Sequence, residues 1–452
     1  MSISTSQGSR DICAIDFGTS NSGIAVRPQG ATDGVMQLVP LEPEGLTMPT
    51  AVFFFADDEE AEQAGALGMA TGLPRLYGRA AMKAYLEGYE GRLMRSMKNL
   101  LGSSLLEQRT LIGGGRDLAY LDVIRAYLLR LKRLGEAASG CPLRRVVMGR
   151  PVYFVDDDEV RDQRAQDSLE QAARDVGFEE VCFEFEPMAA ALDYEQRHAS
   201  RHDEHLMMVI DIGGGTSDFC VIRSDAHRMR QPDRRSDILA HHGVHIAGGD
   251  FDRHLHLSEF LPEVGYRSLG PMRGNDPGRE VPSAVFFDLA TWHLINTVYV
   301  PQRVRECAAL KGDFGDVRLH DRLMKVIRQH LGHQWLAQAE QLKIQWALGQ
   351  PLAQDLGWLE EGLGVTPQPE RLAQALTTDL DAIVQGAVET CRRAGLKPED
   401  IDVLYFTGGS TGLTPLTQGI RQAFPGAEAI HGDRLSSVAA GLGWRAQSHW
   451  PA

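Results

Sequence analysis

The sequence predicts an α/β protein of two similar lobes. Three observations carry that prediction. Apolar runs of strand length alternate with helical segments along the chain. A short pattern occurs twice: residues 15–26 read IDFGTSNSGIAV and residues 210–221 read IDIGGGTSDFCV. The chain has 452 residues, 43% hydrophobic and 24% charged, enough to bury more than one core. Each copy of the pattern is an apolar strand, an Asp, a Gly-rich turn with hydroxyls, and a second run of β-formers. Their separation exceeds any solenoid period and fits a duplicated domain. The boundary is expected in the polar stretch 198–205. That gives lobe I over 1–203 and lobe II over 204–452.

The elements follow in order. Phe53, Phe54 and Phe55 read as a short strand. Residues 121–138 repeat apolar side chains at helical spacing and stop before Gly140 and Pro142. RRVVMGRPVYF (144–154) reads as a strand with a turn at Gly149-Arg150-Pro151. Residues 161–178 read as a helix closing at Gly177, VCFEFEP (181–187) as a strand, and the residues after Pro187 as a helix. In the second half, 322–348 and 371–395 read as helices, the first interrupted near Gly332. DVLYFTGG (402–409) reads as a strand, followed by a helix over 413–424. Regions 225–237 and 265–282, rich in Arg, Asp, Gly and Pro, are expected as loops or insertions.

Charge and composition exclude several functions. Lys and Arg number 46 against 61 Asp and Glu, a net charge of −15. Such a surface disfavours nonspecific binding to nucleic acid or to an anionic membrane. No apolar run approaches the ~18 residues of a spanning helix. The start, MSISTSQGSRD, lacks the basic and apolar regions of a signal peptide. The six cysteines form no CxxC pair, so neither a zinc knuckle nor a thioredoxin-like motif is present. A cytoplasmic protein with buried, reduced thiols is expected.

The glycine turns carry the chemistry. After Asp16 comes Gly18-Thr19-Ser20-Asn21; after Asp211 comes Gly213-Gly214-Gly215-Thr216. Such turns let backbone N–H groups approach a phosphate, and the hydroxyls add donors. An Asp just before the turn suits Mg²⁺, usually through its waters. Neither turn is GxxxxGK[ST] or GxGxxG, and neither opens a helix. Both are therefore expected as phosphate-gripping β-hairpins. Gly408-Gly409-Ser410-Thr411 and Ala247-Gly248-Gly249-Asp250 are further glycine signals, weak singly and informative in their order. The histidine clusters His241/His242/His245 and His254/His256 lack a zinc-like spacing and are expected to be solvated or hydrogen-bonded. The acidic run Asp156-Asp157-Asp158-Glu159 reads as an exposed helix start.

At these motifs the sequence resembles the actin-like ATPase superfamily, and within it the ATPase domain of the 70-kDa heat-shock chaperones. IDFGTSNSGIAV resembles the first phosphate motif and MPTAVFF (48–54) the strand after it. SMKNLLGSS (96–104) resembles the catalytic-lysine segment and puts that role on Lys98. GRPVYF places Pro151 at the switch proline, and FEFEPMAAALDYE assigns the interlobe carboxylate to Glu186. VIDIGGGTSDFCVI resembles the second phosphate motif, and IAGGDFDRHL the segment with Gly248 and Gly249. AEQLKIQWAL places Glu340 and Lys343 on the adenosine-holding helix, and YFTGGSTGLTPL resembles the adenosine motif with Gly408, Gly409 and Ser410. These motifs run in family order over nearly the whole chain.

The resemblance implies a two-lobed actin-like fold of duplicated ribonuclease-H-like domains, with smaller subdomains inserted near 48–120 in lobe I and 244–335 in lobe II. It implies a slow ATPase that takes ATP or ADP with Mg²⁺, with K⁺ as a further cation. Asp16 and Asp211 would hold the metal and, with Lys98 and Glu186, make up the catalytic set. Asp218 and Asp252 read either as further members of this site or as satisfying local backbone. The implied partner is the nucleotide, with no nucleic acid and no membrane; the sequence does not identify a protein partner or co-chaperone-like factor. Departures also stand out. The chain ends soon after the last ATPase helix, as in short bacterial relatives without a peptide-binding domain. Ile344 and Gly412 occupy places where the family usually carries arginines beside adenine, and Ala347 replaces a hydroxyl. The competing readings are a small-molecule phosphotransferase on the same fold and a non-catalytic, nucleotide-gated scaffold or filament former.

Overall fold

The computed structural model describes residues 10–31, 35–43, 45–66, 73–113, 115–155, 158–198, 203–225, 228, 231, 234–272 and 278–451. The chain divides into two compact units. The first comprises Met1–Gly243, Gly386–Thr411 and Arg421–Ala452; the second comprises Val244–Gln385 and Gly412–Ile420.

Two mixed sheets dominate the first unit. In the amino-terminal half the strands are β1 (Ile12–Phe17), β2 (Asn21–Val26), β3 (Gln37–Leu38), β4 (Thr47–Pro49), β5 (Ala51–Phe55), β6 (Arg75–Tyr77), β7 (Gly91–Arg95), β8 (Arg109–Gly113), β9 (Arg116–Ala119), β10 (Arg145–Arg150) and β11 (Glu180–Phe185). The first sheet has the order β11-β10-β1-β2-β3, with β4 also on β2. The later strands are β12 (His205–Ile212), β13 (Ser217–Ser224), β14 (Ile238–Val244), β15 (Gln354–Asp355), β16 (Gly364–Val365), β17 (Val403–Thr407) and β18 (Glu428–His431). The second sheet has the order β14-β13-β12-β17-β18.

Listed from the other edge, the second order is the first one repeated. In both, an antiparallel hairpin (β1/β2, β12/β13) is extended on its leading strand by two parallel strands. Parallel neighbours need long crossovers, and here these are helices. Tyr120–Ser139 precedes β10, Glu159–Asp175 joins β10 to β11, and Glu186–Arg197 follows β11. Pro369–Arg393, Thr414–Ala423 and Ser437–His449 stand at the corresponding places in the second half. The chain is thus a duplicated α/β fold with inserted subdomains: β5, β6 and β7 form a three-stranded sheet, and β8 pairs with β9.

Helices Glu186–Arg197 and Ser437–His449 share one core with both sheets. Ala14, Val147, Met207, Val209, Val403 and Tyr405 supply the strand side, and Met188, Ala189, Ala190, Ala191, Val438 and Leu442 the helix side. The runs of small residues have a reason. A Cβ on Gly441 would lie 1.8 Å from the Ala189 carbonyl oxygen, so the helices cross at backbone contact.

Two expectations need correction. Gly149 and Arg150 do not turn: both lie in β10, opposite Glu184 and Phe185, and residues 152–154 are not a strand. Gly149 is suited to that position because a Cβ there would sit 3.1 Å from Leu442 Cδ1 and 3.2 Å from Glu186 Cγ. The glycine therefore serves close packing. His256, expected to be solvated or hydrogen-bonded, is fully buried, and neither ring nitrogen has a hydrogen-bond partner. Of the acidic run, Asp156 and Asp157 lie outside the described residues, as do 199–202 of the boundary stretch. Asp158 caps the helix Glu159–Asp175 by accepting from the Arg161 amide. No helix among the described residues is long and apolar enough to cross a membrane.

Candidate functional site

The doubled sheet brings its two hairpin turns together in the first unit. A Cβ on Gly214 would lie 2.0 Å from Ser20 Oγ, so the second turn lies against the first and a side chain at 214 would have to push that hydroxyl aside. Gly215 has Asn99 Nδ2 and Thr19 Cγ2 near the place its Cβ would take, both at 3.9 Å. Hydroxyls brace the first turn from behind. Thr50 donates to the Gly18 carbonyl at 2.8 Å and shares a 2.8 Å bond with Ser22. The second turn is closed by Gly213 N–H to Thr216 O at 3.0 Å. It is joined to the third glycine segment by Ser410 Oγ, which donates to Gly213 O at 2.9 Å. Gly408 has φ +85°, and a Cβ there would meet Asp211 Oδ1 at 2.4 Å. Any other residue at 408 would displace that carboxylate.

Four carboxylates and one ammonium make up the chemistry. Asp16 lies at the end of β1 and Asp211 at the end of β12, where Asp211 is opposite Asp218 on β13 and Thr407 on β17. Lys98 sits in a tight turn, Met97–Leu100, entered through Ser96 at φ 53°. Its side chain is buried, and its Nζ is paired with Glu186 Oε1. Glu186 opens its helix, with Pro187 in the first turn.

Burial pushes the Asp16 carboxyl up to about 8; Glu186 and Asp211 add to this, and Lys98 opposes it. Burial likewise raises Asp211 to about 7, helped by Asp218 and Glu186 and opposed by Lys98. For Lys98, burial is the largest influence and favours the neutral amine. Glu186, Asp16 and Asp218 together outweigh it, and the net shift is upward. A cluster with more buried carboxylate than cation is balanced by protons on its aspartates or by a bound cation. Two raised aspartates beside a pair of glycine turns fit a divalent metal carrying an anion.

A cavity of about 40 Å³ lies against this cluster, bordered by Glu186, Pro187, Asp211, Asp218 and Pro151. That is room for a water with several polar partners. Tyr153 stands at its outer side, its ring edge-on to His241 with centroids 4.7 Å apart.

The remaining sequence candidates lie in the second unit. Gly248 and Gly249 open the helix Gly248–Leu255, with the Ala247 amide donating to Asp250 Oδ2 at 3.0 Å. Lys343 braces that turn, giving Nζ to Gly248 O at 2.9 Å and to Asp252 Oδ1 at 2.8 Å. Glu340 lies one turn earlier on the same helix, Gly332–Ala347, and Ile344 is 40% exposed.

Sequence reasoning missed Asn99 and Thr50. Asn99 accepts from Thr19 Oγ1 at 3.4 Å, a weak tie between the lysine turn and the first hairpin. Its place beside Lys98 was the available signal. For Thr50 there was none, since its role depends on β4 pairing with β2.

A duplicated mixed sheet with an aspartate-bearing glycine hairpin on each copy defines a nucleotide-binding protein of the actin-like ATPase fold. A family model described as Hsp70 protein matches residues 12–256, from β1 to the end of the Gly248–Leu255 helix. The match covers more than half of the chain, which belongs to the Hsp70 family.

Proposed function

We propose that the protein is a Mg²⁺-dependent ATPase with slow turnover, its halves 1–203 and 204–452 acting as the duplicated lobes. The carrying observation is the convergence of Asp16, Asp211, Lys98 and Glu186 on two facing glycine turns. The amides of residues 18–21 and 213–216, with Thr19, Ser20 and Thr216, would bind phosphate oxygens. Asp16 and Asp211 would hold Mg²⁺, which neutralises phosphate charge when bound. Glu186 borders the water-sized cavity and would orient the attacking water. Lys98 would exchange Glu186 for the γ-phosphate and offset charge that moves to the leaving oxygen. Gly248, Gly249, Glu340, Lys343, Gly408, Gly409 and Ser410 would serve the nucleoside end. Ile344 lacks the guanidinium for a cation–π stack, worth about 0.5–2 kcal/mol, so discrimination between bases should be weak.

The test is purified protein with Mg-ATP, following phosphate release and light scattering together, alongside calorimetry with ATP and GTP. Slow, Mg-dependent release without scattering supports the reading. Nucleotide binding with no release favours a scaffold, and ATP-dependent scattering favours a filament.

A further inference from the structure

We propose that Asn99 is a phosphate-binding residue, its carboxamide N–H groups bonding the phosphoryl group that lies between the two glycine turns. The proposal deepens the nucleotide-binding reading of this site and rests on it, but needs no step of hydrolysis.

Asn99 belongs to the tight turn Met97–Leu100, which its own N–H closes on Ser96 O at 3.1 Å. Such a turn has about three residues to a revolution, so neighbouring side chains leave it on different sides. Lys98 goes inward, where it is buried and paired with Glu186. Asn99 goes outward and is exposed. One turn therefore offers the site two groups of different chemistry: a buried cation and an open amide.

That amide reaches both hairpins. Its Oδ1 accepts from Thr19 Oγ1 of the first turn at 3.4 Å. Its Nδ2 lies 3.9 Å from the place a Gly215 Cβ would take on the second. The bond from Thr19 orients the group, with oxygen toward the first turn and nitrogen toward the second. An asparagine side chain has two N–H donors besides its acceptor oxygen. Here the oxygen is engaged, while among the described residues Nδ2 gives a hydrogen bond to no acceptor. In the site as proposed, the turn amides and the hydroxyls of Thr19, Ser20 and Thr216 also donate. A further pair of donors at the seam between the turns suits an acceptor-rich anion, and a phosphoryl group is one.

The contact forms with the bound phosphate before any bond breaks. It therefore acts on affinity, in contrast to Lys98.

The test titrates the full chain, Asn99→Ala and Asn99→Asp with Mg-AMP-PNP and with adenosine by calorimetry. Position 99 is exposed, so both variants should fold, and their melting temperatures check this. A hydrogen bond to a charged group is worth about ten- to a hundredfold in affinity. Asn99→Ala should weaken Mg-AMP-PNP binding by about that factor. Asn99→Asp should weaken it further, because it sets a carboxylate against phosphate. Adenosine should bind all three proteins within about twofold. In turnover, Asn99→Ala should raise KM for ATP and leave kcat unchanged. Equal weakening of both ligands would make Asn99 a prop of the turn and overturn the proposal. So would wild-type affinity for Mg-AMP-PNP in both variants. A wild type that binds Mg-AMP-PNP no better than adenosine would overturn both this proposal and the phosphate-binding reading of the turns. Tight binding without turnover would sink the ATPase reading alone and leave Asn99 in its role.

Discussion

Lys98 is buried among carboxylates, and that position sets what its loss should do. If the hairpin amides hold phosphate as proposed, those contacts would exist in ground and transition state alike and would set affinity. A lysine that meets charge only as the leaving bond breaks sets rate. Lys98→Ala should cut single-turnover hydrolysis by about 10²–10³ and leave ATP affinity within a few-fold. Lys98→Arg should not restore it, because a planar fork does not replace a compact ammonium in a closed site. Hydrolysis of the alanine variant within threefold of wild type would remove Lys98 from the catalytic set. The same cluster sets a pH dependence. The folded values of Asp16, about 8, and Asp211, about 7, lie above the unfolded value of about 3.9. Their contribution to nucleotide-free stability is therefore full below about pH 4 and lost as pH rises through 7 and 8. Asp16→Asn should raise the nucleotide-free stability at pH 8 by an amount on the order of 1–3 kcal/mol, seen as a higher melting temperature, and leave it unchanged at pH 4. Equal effects at both values would show that the carboxylate is not charged against its surroundings.

Among the elements, the helix from Gly248 has an unusual continuation. It passes into a π-helical turn over His256–Phe260, and the His256 ring packs edge-on against Trp335 with centroids 5.1 Å apart. Burial holds this imidazole down at about 3. With a folded value below the unfolded 6.5, the stability it contributes is present above pH 6.5 and lost as pH falls toward 3. His256→Leu removes two unpaired ring nitrogens, each a cost of about 1–3 kcal/mol when buried. The variant should be more stable at pH 7 and by a wider margin at pH 5. Chemical denaturation at the two pH values measures this; a gap that narrows toward pH 5 would contradict it. Nothing in the sequence around His256 marks it as dry. GGDFDRHLHLSEF reads as an ordinary amphipathic helix, and the ring is packed both by Phe260 within that segment and by Trp335 from about eighty residues away. The hairpins were legible for the opposite reason. Their strand, Asp and glycines are contiguous, so the local sequence already holds the geometry. The Gly149 turn was misread because glycine can mark either a turn or a close approach, and its neighbours in space, Glu186 and Leu442, are distant in sequence.

At the scale of the molecule, duplication was visible because both copies kept their turn chemistry. What joins the copies was not visible, since it depends on glycine and alanine in helices that look unremarkable singly. Gly441→Ala tests that join. Its Cβ would overlap the Ala189 carbonyl oxygen, and backbone cannot rotate aside as a side chain can. The expected cost is about 3 kcal/mol, the upper end for overpacking, with a loss of phosphate affinity as the hairpins shift apart. A variant with wild-type stability and nucleotide affinity would mean that the helices are free to separate.

That backbone contact has a mechanical meaning. Where side chains separate two helices, rotamer changes let the gap breathe, and each substitution resets it. Here main chain touches main chain between residues 189 and 441, so the gap is set by atomic radii alone. The two sheets are dovetailed at that point, and the two glycine turns stand at the ends of strands belonging to those sheets. Their separation is therefore a machined dimension, buffered against drift in the rest of the core. Side chains elsewhere in this core can change size without altering that contact between residues 189 and 441.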